Sequence, residues 1–259
     1  MRTKNNLSVV IPALIKDKHD EQLLKKTLKK VSLVSDDLIV ISQGNKPNIK
    51  NNNLKIFHSN IRMGKWKALS LVKDLQLKDD VFIHDADDPF DGFSYLERSI
   101  FKSNSLITRN KISLFASDQI SENSRMFVEL FINKYIYKNE NDFPDIQSGS
   151  FILNKEIFKT FEFEKFDDYG GELKIFTHLK KNKVPLNFIN MMIQDGGARK
   201  KSNYSIDFIL KQVITEPISE TNVYEIIDMC FNGYKKHIKS KVKFKREIIF
   251  FLNRNKLIA

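Results

Sequence analysis

The stretch Val81-Phe82-Ile83-His84-Asp85-Ala86-Asp87-Asp88 decides the fold, because it joins a short apolar run directly to an acidic cluster. Three consecutive apolar residues are typical of a strand that is buried on both faces, as strands of parallel sheets are. In open α/β sheets, ligands bind beyond the carboxyl ends of the strands. Residues that leave a strand alternate sides, so Asp85 and Asp87 are expected to point the same way. The sequence therefore predicts a pair of carboxylates at a ligand-binding edge.

The residues before this stretch repeat the same pattern. Apolar runs at residues 7–13 and 38–42 predict two further buried strands, residues 54–57 predict another strand, and Pro12 is expected to stop the first of the three. Residues 20–31 and 63–75 have apolar side chains at helical spacing. Strands that alternate with helices predict βαβ units, and hence an α/β domain with a mostly parallel sheet flanked by helices.

The second half of the chain has a less regular rhythm. There we expect strands at 112–116 and 187–191, helices at 122–137 and 169–181, and a turn followed by a strand at 146–153. The remaining residues are predicted to be mostly helical.

Composition limits the class of protein. The chain has 259 residues, of which 41% are hydrophobic and 11% aromatic, which suits one large domain or a domain with an appendage and excludes global disorder. The longest apolar run has five residues, whereas a membrane-spanning helix needs about 20. The start of the chain has no apolar segment of signal-peptide length. The single cysteine, Cys230, excludes an internal disulfide and a thiolate zinc cluster. We therefore expect a cytoplasmic protein.

The net charge of +11 is concentrated at the C-terminus. Residues 234–259 hold nine Lys or Arg residues and one acid, Glu247. A basic amphipathic helix at 235–259 predicts docking on an anionic surface, with the inner face of the membrane as the favoured partner. The alternative is that the apolar side chains pack on the main domain and the lysines are merely solvated. The apolar residues of this tail are Ile238, Val242, Phe244, Ile248, Ile249, Phe250, Phe251 and Leu252.

Two segments offer groups for phosphate chemistry. Asp85 and Asp87 present the hard oxygens that Mg²⁺ or Mn²⁺ prefers, although an acidic loop that is only solvated would have the same residues. Gly64 and Lys65 precede a helical pattern, where backbone N–H groups and a cation can meet a diphosphate. This segment is not a Walker loop, because Trp66 follows Lys65, and a basic helix start is the alternative interpretation.

Together, four segments resemble one family. They are S-V-V-I-P-A at residues 8–13, D-D-L-I-V-I-S at 36–42, N-x-x-x-G-K-x-x-A-L at 60–69 and V-F-I-H-D-A-D-D at 81–88. Over about residues 7–195 the chain resembles GT-A fold glycosyltransferases of family 2 or a near neighbour, whose sheet is Rossmann-like. The resemblance implies a GT-A domain at 1–200, with a nucleotide-sugar-binding half at 1–92 and an acceptor half at 93–200. A helical basic extension would follow at 201–259.

The resemblance also implies an activity and a set of site residues. The activity is the metal-dependent transfer of a sugar from a UDP- or GDP-sugar to an acceptor hydroxyl of a lipid, a glycan or a small hydroxy acid, with Mn²⁺ or Mg²⁺ as cofactor. By this resemblance, the donor site would contain Pro12, Ala13, Gln43, Lys65, Asp85, Ala86 and Arg199. The metal ligands would be Asp85, Asp87 and Asp195, the acceptor site Gln147, Ser148 and Gly149, and the candidate catalytic acids Asp168 and Glu172.

Several of these assignments depart from the family pattern. Relatives carry an acid near the end of the second strand, where this chain has Gln43. The motif Y-G-G-E-L at 169–173 also resembles retaining glucosyl- and mannosyl-glycerate synthases. In those enzymes a metal ligand further along the chain is often His, and the nearest match in this chain is Asp195. Helix capping is the alternative role for Asp168.

Two other classes of protein compete with this interpretation. A sugar-1-phosphate nucleotidyltransferase would share the sheet and the metal, but it usually has a G-x-G-x-R loop after the first strand, and residues 12–17 contain no Gly. A nucleic-acid-binding module would explain the basic tail, but the tail has no recognisable nucleic-acid motif, and no nucleic-acid partner is expected. The sugar, the acceptor and the stereochemical outcome stay open.

Overall fold

The chain forms two compact units. The computed structural model describes residues 6–87, 104–109, 149–166, 171–191, 217–234, 240–254 and 256–259. The first unit takes residues 1–108 and 146–198, and the second takes residues 109–145 and 199–259. The domain boundary at residue 200 stays a prediction. The strand expected at 112–116 and the helix expected at 122–137 lie outside the described residues.

Seven strands form one sheet in the described part of the chain. They are β1 (Leu7–Ile15), β2 (Asp37–Gly44), β3 (Leu54–Ser59), β4 (Asp80–Ile83), β5 (Ser105–Arg109), β6 (Phe151–Asn154) and β7 (Asn187–Met191). Their order is β3-β2-β1-β4-β6-β5-β7. β1, β2, β3 and β4 run parallel to one another, and β6 runs antiparallel to β4 and β5. The predicted α/β fold with its mostly parallel sheet is confirmed.

Helices connect these strands. The described ones are α1 (Lys18–Val31), α2 (Lys65–Ser70), α3 (Lys155–Thr160), a 3₁₀ turn at Phe163–Lys165, α4 (Gly171–Lys181), α5 (Glu220–Tyr234) and α6 (Lys241–Arg254). α1 begins where Asp17 accepts hydrogen bonds from the backbone N–H groups of His19 and Asp20, which satisfies two donors that a helix start leaves open. Its buried residues Leu24, Leu28 and Val31 pack against the sheet, as their helical spacing predicts.

Two predicted boundaries are wrong. Pro12 does not end the first strand, because β1 continues to Ile15. The hydrogen-bonded pairing of β1 with β4 covers only Leu7–Val10. Pro12 lies beyond it, so the missing N–H of Pro12 breaks no hydrogen bond to β4. The helix expected at 63–75 is shorter, because α2 ends at Ser70 and tighter i→i+3 bonds follow, such as that from the Val72 N–H to the Leu69 carbonyl at 3.2 Å.

The second unit contains α5 and α6. Both helices have a buried apolar face, with Val223, Ile226 and Ile227 on α5 and Phe244, Ile248 and Leu252 on α6. Lys241 pairs with Asp228 at 2.9 Å and joins the two helices. Among the described residues, no helix is long and apolar enough to cross a membrane.

Candidate functional site

Four of the residues singled out from the sequence meet at the carboxyl edge of the parallel strands. Asp85 lies two residues after β4, and Lys65 opens α2 after β3. Gly149 precedes β6, which is antiparallel and begins opposite the end of β4. Glu172 is the second residue of α4. The topology thus brings together a donor, a metal, an acceptor and a catalytic candidate.

The Lys65 ammonium is the centre of this cluster. Its Nζ atom lies 2.9 Å from Oδ1 of Asp85, 3.0 Å from Oε1 of Glu172 and 3.3 Å from the carbonyl oxygen of Gly149. The side chains of Lys65 and Glu172 are 17% and 9% exposed, whereas that of Asp85 is 35% exposed. One cation therefore faces two carboxylates, and Asp85 is the member that solvent or a ligand reaches most easily.

Charge and burial set the protonation of this cluster. Burial by itself lowers the pKa of Lys65, but the neighbouring charges of Asp85 and Glu172 outweigh it and raise that pKa above its ordinary value. Lys65 therefore stays protonated. Burial raises the pKa of Glu172, and the charge of Asp85 acts in the same direction while Lys65 opposes both, so the pKa remains raised.

The acidic loop after β4 is anchored by three hydrogen bonds. The backbone N–H of His84 donates to the Val10 carbonyl at 3.1 Å. The hydroxyl of Thr27 on α1 donates to the Ala86 carbonyl at 2.9 Å. The buried His84 Nδ1 and Ser150 Oγ lie 2.7 Å apart in a further bond, which ties the end of β4 to the start of β6. These bonds fix the backbone on both sides of Asp85.

Gly149 allows Asp85 to approach β6 closely. Its φ is +78°, in the left-handed region that favours glycine. A Cβ at this position would lie 2.0 Å from Oδ2 of Asp85. The space beside the Asp85 carboxylate therefore exists only because residue 149 has no side chain.

Gln43 shapes the loop that presents Lys65. Its side-chain oxygen accepts hydrogen bonds from the backbone N–H groups of Met63 at 2.7 Å and Gly64 at 3.0 Å, and its amide nitrogen donates to the Gly64 carbonyl at 3.4 Å. Gln43 is buried. The Gln43 side chain therefore holds the backbone immediately before α2, and its expected role in donor binding stays a prediction.

An aromatic stack supports the same edge. The Trp66 ring lies between Phe151 and Phe163, at centroid distances of 6.1 and 6.3 Å. The Lys65 Nζ atom lies 5.0 Å from the Trp66 ring centroid, within the range of a cation–π contact. Gly171 contacts the same ring closely, because a Cβ at this position would lie 2.0 Å from a Trp66 ring atom. The stack therefore ties α2, β6 and the start of α4 together.

The other predicted site residues are placed as follows. Pro12 and Ala13 are buried in β1, Ala86 is half-buried, and Asp87 is exposed in the turn after Asp85. Five further candidates lie outside the described residues: Gln147, Ser148, Asp168, Asp195 and Arg199.

The residues present fit a hard divalent cation only in part. Where the chain is described, no group of three or more His, Cys, Asp or Glu side chains could hold a metal ion. The Lys65 ammonium, however, is surrounded by two carboxylates and a carbonyl, which are the oxygen types that Mg²⁺ and Mn²⁺ prefer. Asp85 is thus suited to hold a metal whose remaining ligands come from water and substrate phosphate.

Sequence reasoning missed the pairings within the site. Lys65 and Glu172 are 107 residues apart, and His84 and Ser150 are 66 residues apart. No local pattern encodes such contacts. The only signal was that each residue lies at the end of an element, where a common sheet edge can collect them.

The fold is shared with known sugar transferases. No protein-family model and no curated protein matches the chain. Among solved structures, the chain is similar to glucosyl-3-phosphoglycerate synthase from Mycobacterium tuberculosis in complex with UDP, with 16% identity, a TM-score of 0.51 and coverage of 80% of this chain and 79% of that one. The same enzyme in complex with Mn²⁺, UDP and phosphoglyceric acid gives 14% identity and a TM-score of 0.52, over 80% of this chain and 78% of that one.

A second enzyme has the same fold. Mannosyl-3-phosphoglycerate synthase from Rubrobacter xylanophilus matches with 12% identity and a TM-score of 0.53, over 81% of this chain and 73% of that one. At such identities the similarity establishes the fold, which is that of GT-A glycosyltransferases. The resemblance stated from the four sequence segments is therefore confirmed for the fold.

Proposed function

We propose that this chain is a metal-dependent glycosyltransferase that moves a sugar from a nucleoside-diphosphate donor to an acceptor hydroxyl. The observation that carries the proposal is the cluster of Lys65, Asp85 and Glu172 at the carboxyl edge of a GT-A sheet. One enzyme with the same fold has been solved with UDP alone and with Mn²⁺ and UDP together. UDP is accordingly the first nucleotide to test, and GDP the second.

Each residue has a role that follows from its chemistry. Asp85 and Asp87 would hold Mn²⁺ or Mg²⁺, which neutralises charge on a leaving diphosphate. Lys65 is protonated and supplies a second positive charge at the same edge. Glu172 has a raised pKa and a lysine partner, which suits a group that accepts a proton from an acceptor hydroxyl in an inverting reaction. Asp168 as the base, Arg199 as a diphosphate ligand and Asp195 as a metal ligand remain proposals.

The acceptor is proposed by chemical class. The neighbouring enzyme was solved with phosphoglyceric acid, a small hydroxy acid with a phosphate group. Phosphoglyceric acid is therefore the first acceptor to test, with Gln147, Ser148 and Gly149 as the proposed acceptor side.

A thermal-shift experiment tests the proposed function. The ligands are UDP, GDP, their glucose and mannose sugars, UTP and GTP, each added with and without Mn²⁺ or Mg²⁺. A ligand at a hundredfold excess over its Kd stabilises the fold by about 2.7 kcal/mol, so binding gives a clear shift. We expect one nucleotide to stabilise the protein only with metal. Stabilisation by none of them contradicts the proposal, and stabilisation by a nucleoside triphosphate alone favours a nucleotidyltransferase.

A pair of variants locates the metal. Asp87→Asn should melt like the parent protein, because Asp87 is exposed, but it should lose the metal-dependent shift. Asp74→Asn removes another exposed carboxylate, in the turns that follow α2, and serves as the matched control. If Asp87→Asn keeps the full metal-dependent shift, Asp87 is not a ligand.

We also propose that α6 docks on an anionic membrane surface. Phe244, Ile248 and Leu252 were expected to contact such a surface, but they are buried and therefore do not take part in it. Val242 and Phe250 remain 76% and 67% exposed. They share one side of the helix with Arg246, at spacings of four residues, and further exposed cations lie on the same helix. A surface with exposed apolar tips among cations matches an anionic lipid interface.

Liposome sedimentation tests this docking surface. The full chain should sediment at low salt with vesicles that contain anionic lipid and not with neutral vesicles. Exchanging both exposed apolar residues, Val242→Asp with Phe250→Asp, should abolish the effect without changing the melting temperature. No sedimentation of the parent chain overturns the membrane proposal, and so does a shift with RNA in the absence of any shift with anionic lipid.

A further inference from the structure

The Lys65 ammonium lies where a bound cation would be coordinated. Three oxygens from three separate segments converge on it, from Asp85, Glu172 and Gly149. Ordinary surface lysines do not have such a shell, because a flexible ammonium is hydrated at little cost. The arrangement is a built cation site that the chain itself fills.

This internal cation competes for the carboxylate that the proposed function assigns to the metal. Asp85 is 35% exposed, so a metal ion can reach it from solvent. A divalent ion on the same carboxylate would lie close to the ammonium, and like charges at such distances repel. Lys65 and a metal ion therefore cannot both interact with Asp85 at full strength.

Lys65 has a second anchor that allows it to leave Asp85. Glu172 is only 9% exposed and would hold the ammonium from the other side. The Nζ atom of Lys65 also lies 5.0 Å from the Trp66 ring centroid and 5.7 Å from the Phe151 ring centroid, so two aromatic rings attract the ammonium as well. The ammonium would thus stay at the site edge after it releases Asp85, within a short side-chain rotation of an incoming ligand.

We infer that Lys65 is an exchangeable counter-ion of Asp85, which a divalent cation and a nucleoside diphosphate displace together. Asp85 would then hold the metal, and the released ammonium of Lys65 would turn to the negative charge of the diphosphate. Binding of metal and nucleotide is then mutually favourable, and linkage requires the effect to be equal in both directions. The inference rests on the proposed function, because it assumes that these two ligands share the site.

Metal affinity without nucleotide is the decisive measurement. The Kd for Mn²⁺ alone is obtained from the electron paramagnetic resonance signal of free Mn²⁺, first for the parent protein and then for Lys65→Met. The Lys65–Asp85 ion pair is partly exposed, so removal of this competitor should tighten Mn²⁺ binding by about fivefold. Lys65→Met should also weaken UDP binding in the presence of Mn²⁺. A purely structural lysine would not change the two affinities in opposite directions.

Two further variants complete the test. Lys67→Met removes an exposed lysine from the same helix and should change neither affinity. Lys65→Gln keeps a hydrogen-bond donor without the charge, and it gives the same measurement if the methionine variant does not fold. Unchanged or weaker Mn²⁺ binding in the Lys65 variants overturns the inference, and so does an equal effect of Lys67→Met. If the parent protein fails to bind UDP, the proposed function fails, while the Mn²⁺ measurement still decides the exchange.

Discussion

The substitution Gly149→Ala probes how closely β6 and the acidic loop are fitted together. An alanine at φ +78° costs about 1–2 kcal/mol in backbone strain. The new Cβ would lie 2.0 Å from Oδ2 of Asp85, and the carboxylate must rotate away because no real contact is that short. Rotation breaks the 2.9 Å pair with Lys65, which contributes about 1 kcal/mol because Asp85 is partly exposed and water replaces the lost partner.

The total destabilisation should be about 2–3 kcal/mol, which lowers the melting temperature by roughly 4–12 °C for a chain of this size. The assay is a double-mutant cycle with Asp85→Ala, in which unfolding by urea is measured for all four proteins. Without the carboxylate, Gly149→Ala should cost only its backbone strain, so the cycle should give a coupling of about 1 kcal/mol. A coupling below about 0.3 kcal/mol would refute the close fit of Gly149 to Asp85.

Three further substitutions test other parts of the site. Gly171→Ala pushes a Cβ into the buried Trp66 ring and should destabilise the protein by about 1–3 kcal/mol. Calorimetry measures this effect, and an unchanged melting temperature would contradict the close contact of Gly171 with Trp66. Thr27→Val leaves a carbonyl of the acidic loop without its hydroxyl donor and should cost about 1–3 kcal/mol in urea unfolding, whereas Thr27→Ser should cost less. Lys65→Met should raise the pKa of Glu172 further above 4.5, because Lys65 opposes the effect of burial. The folded state then binds that proton more tightly than the unfolded state, so the variant should lose stability relative to the parent as pH rises through the raised pKa; a loss on acidification instead would reverse the assigned sign.

The sequence predicts the parallel half of the fold well because β2 and β4 contain uninterrupted apolar runs, at residues 38–41 and 81–83. Because helical patterns separate these two runs, both are identified as strands of a parallel sheet. The acidic residues that follow β4 then lie at the edge of the sheet where ligands bind. The end of β1 was missed because it depends on where the ladder to β4 stops, which is a tertiary property. The length of α2 was missed because a helical apolar spacing persists through the tight turns that follow it.

The sequence predicts individual residues of the site but not the contacts between them. Asp85 and Lys65 were recognisable from their places after strands, and Glu172 from its place at a helix start. Their convergence on one ammonium depends on β6 running antiparallel to β4 and on α4 packing against the Trp66 ring. The hydrogen bonds of Gln43 to the loop before α2 were not predicted, because the sequence gives the chemistry of a side chain and not its partner.

The position of Trp66 gives the protein a built-in optical signal. It is the single tryptophan of the chain, so the intrinsic indole emission comes from one ring, stacked between two phenylalanines. A positive charge 5.0 Å from that ring shifts the energy of its excited state, which is sensitive to the local electric field. Any event that moves the Lys65 ammonium should therefore change the emission, so occupancy of the site can be followed by fluorescence in the unlabelled protein.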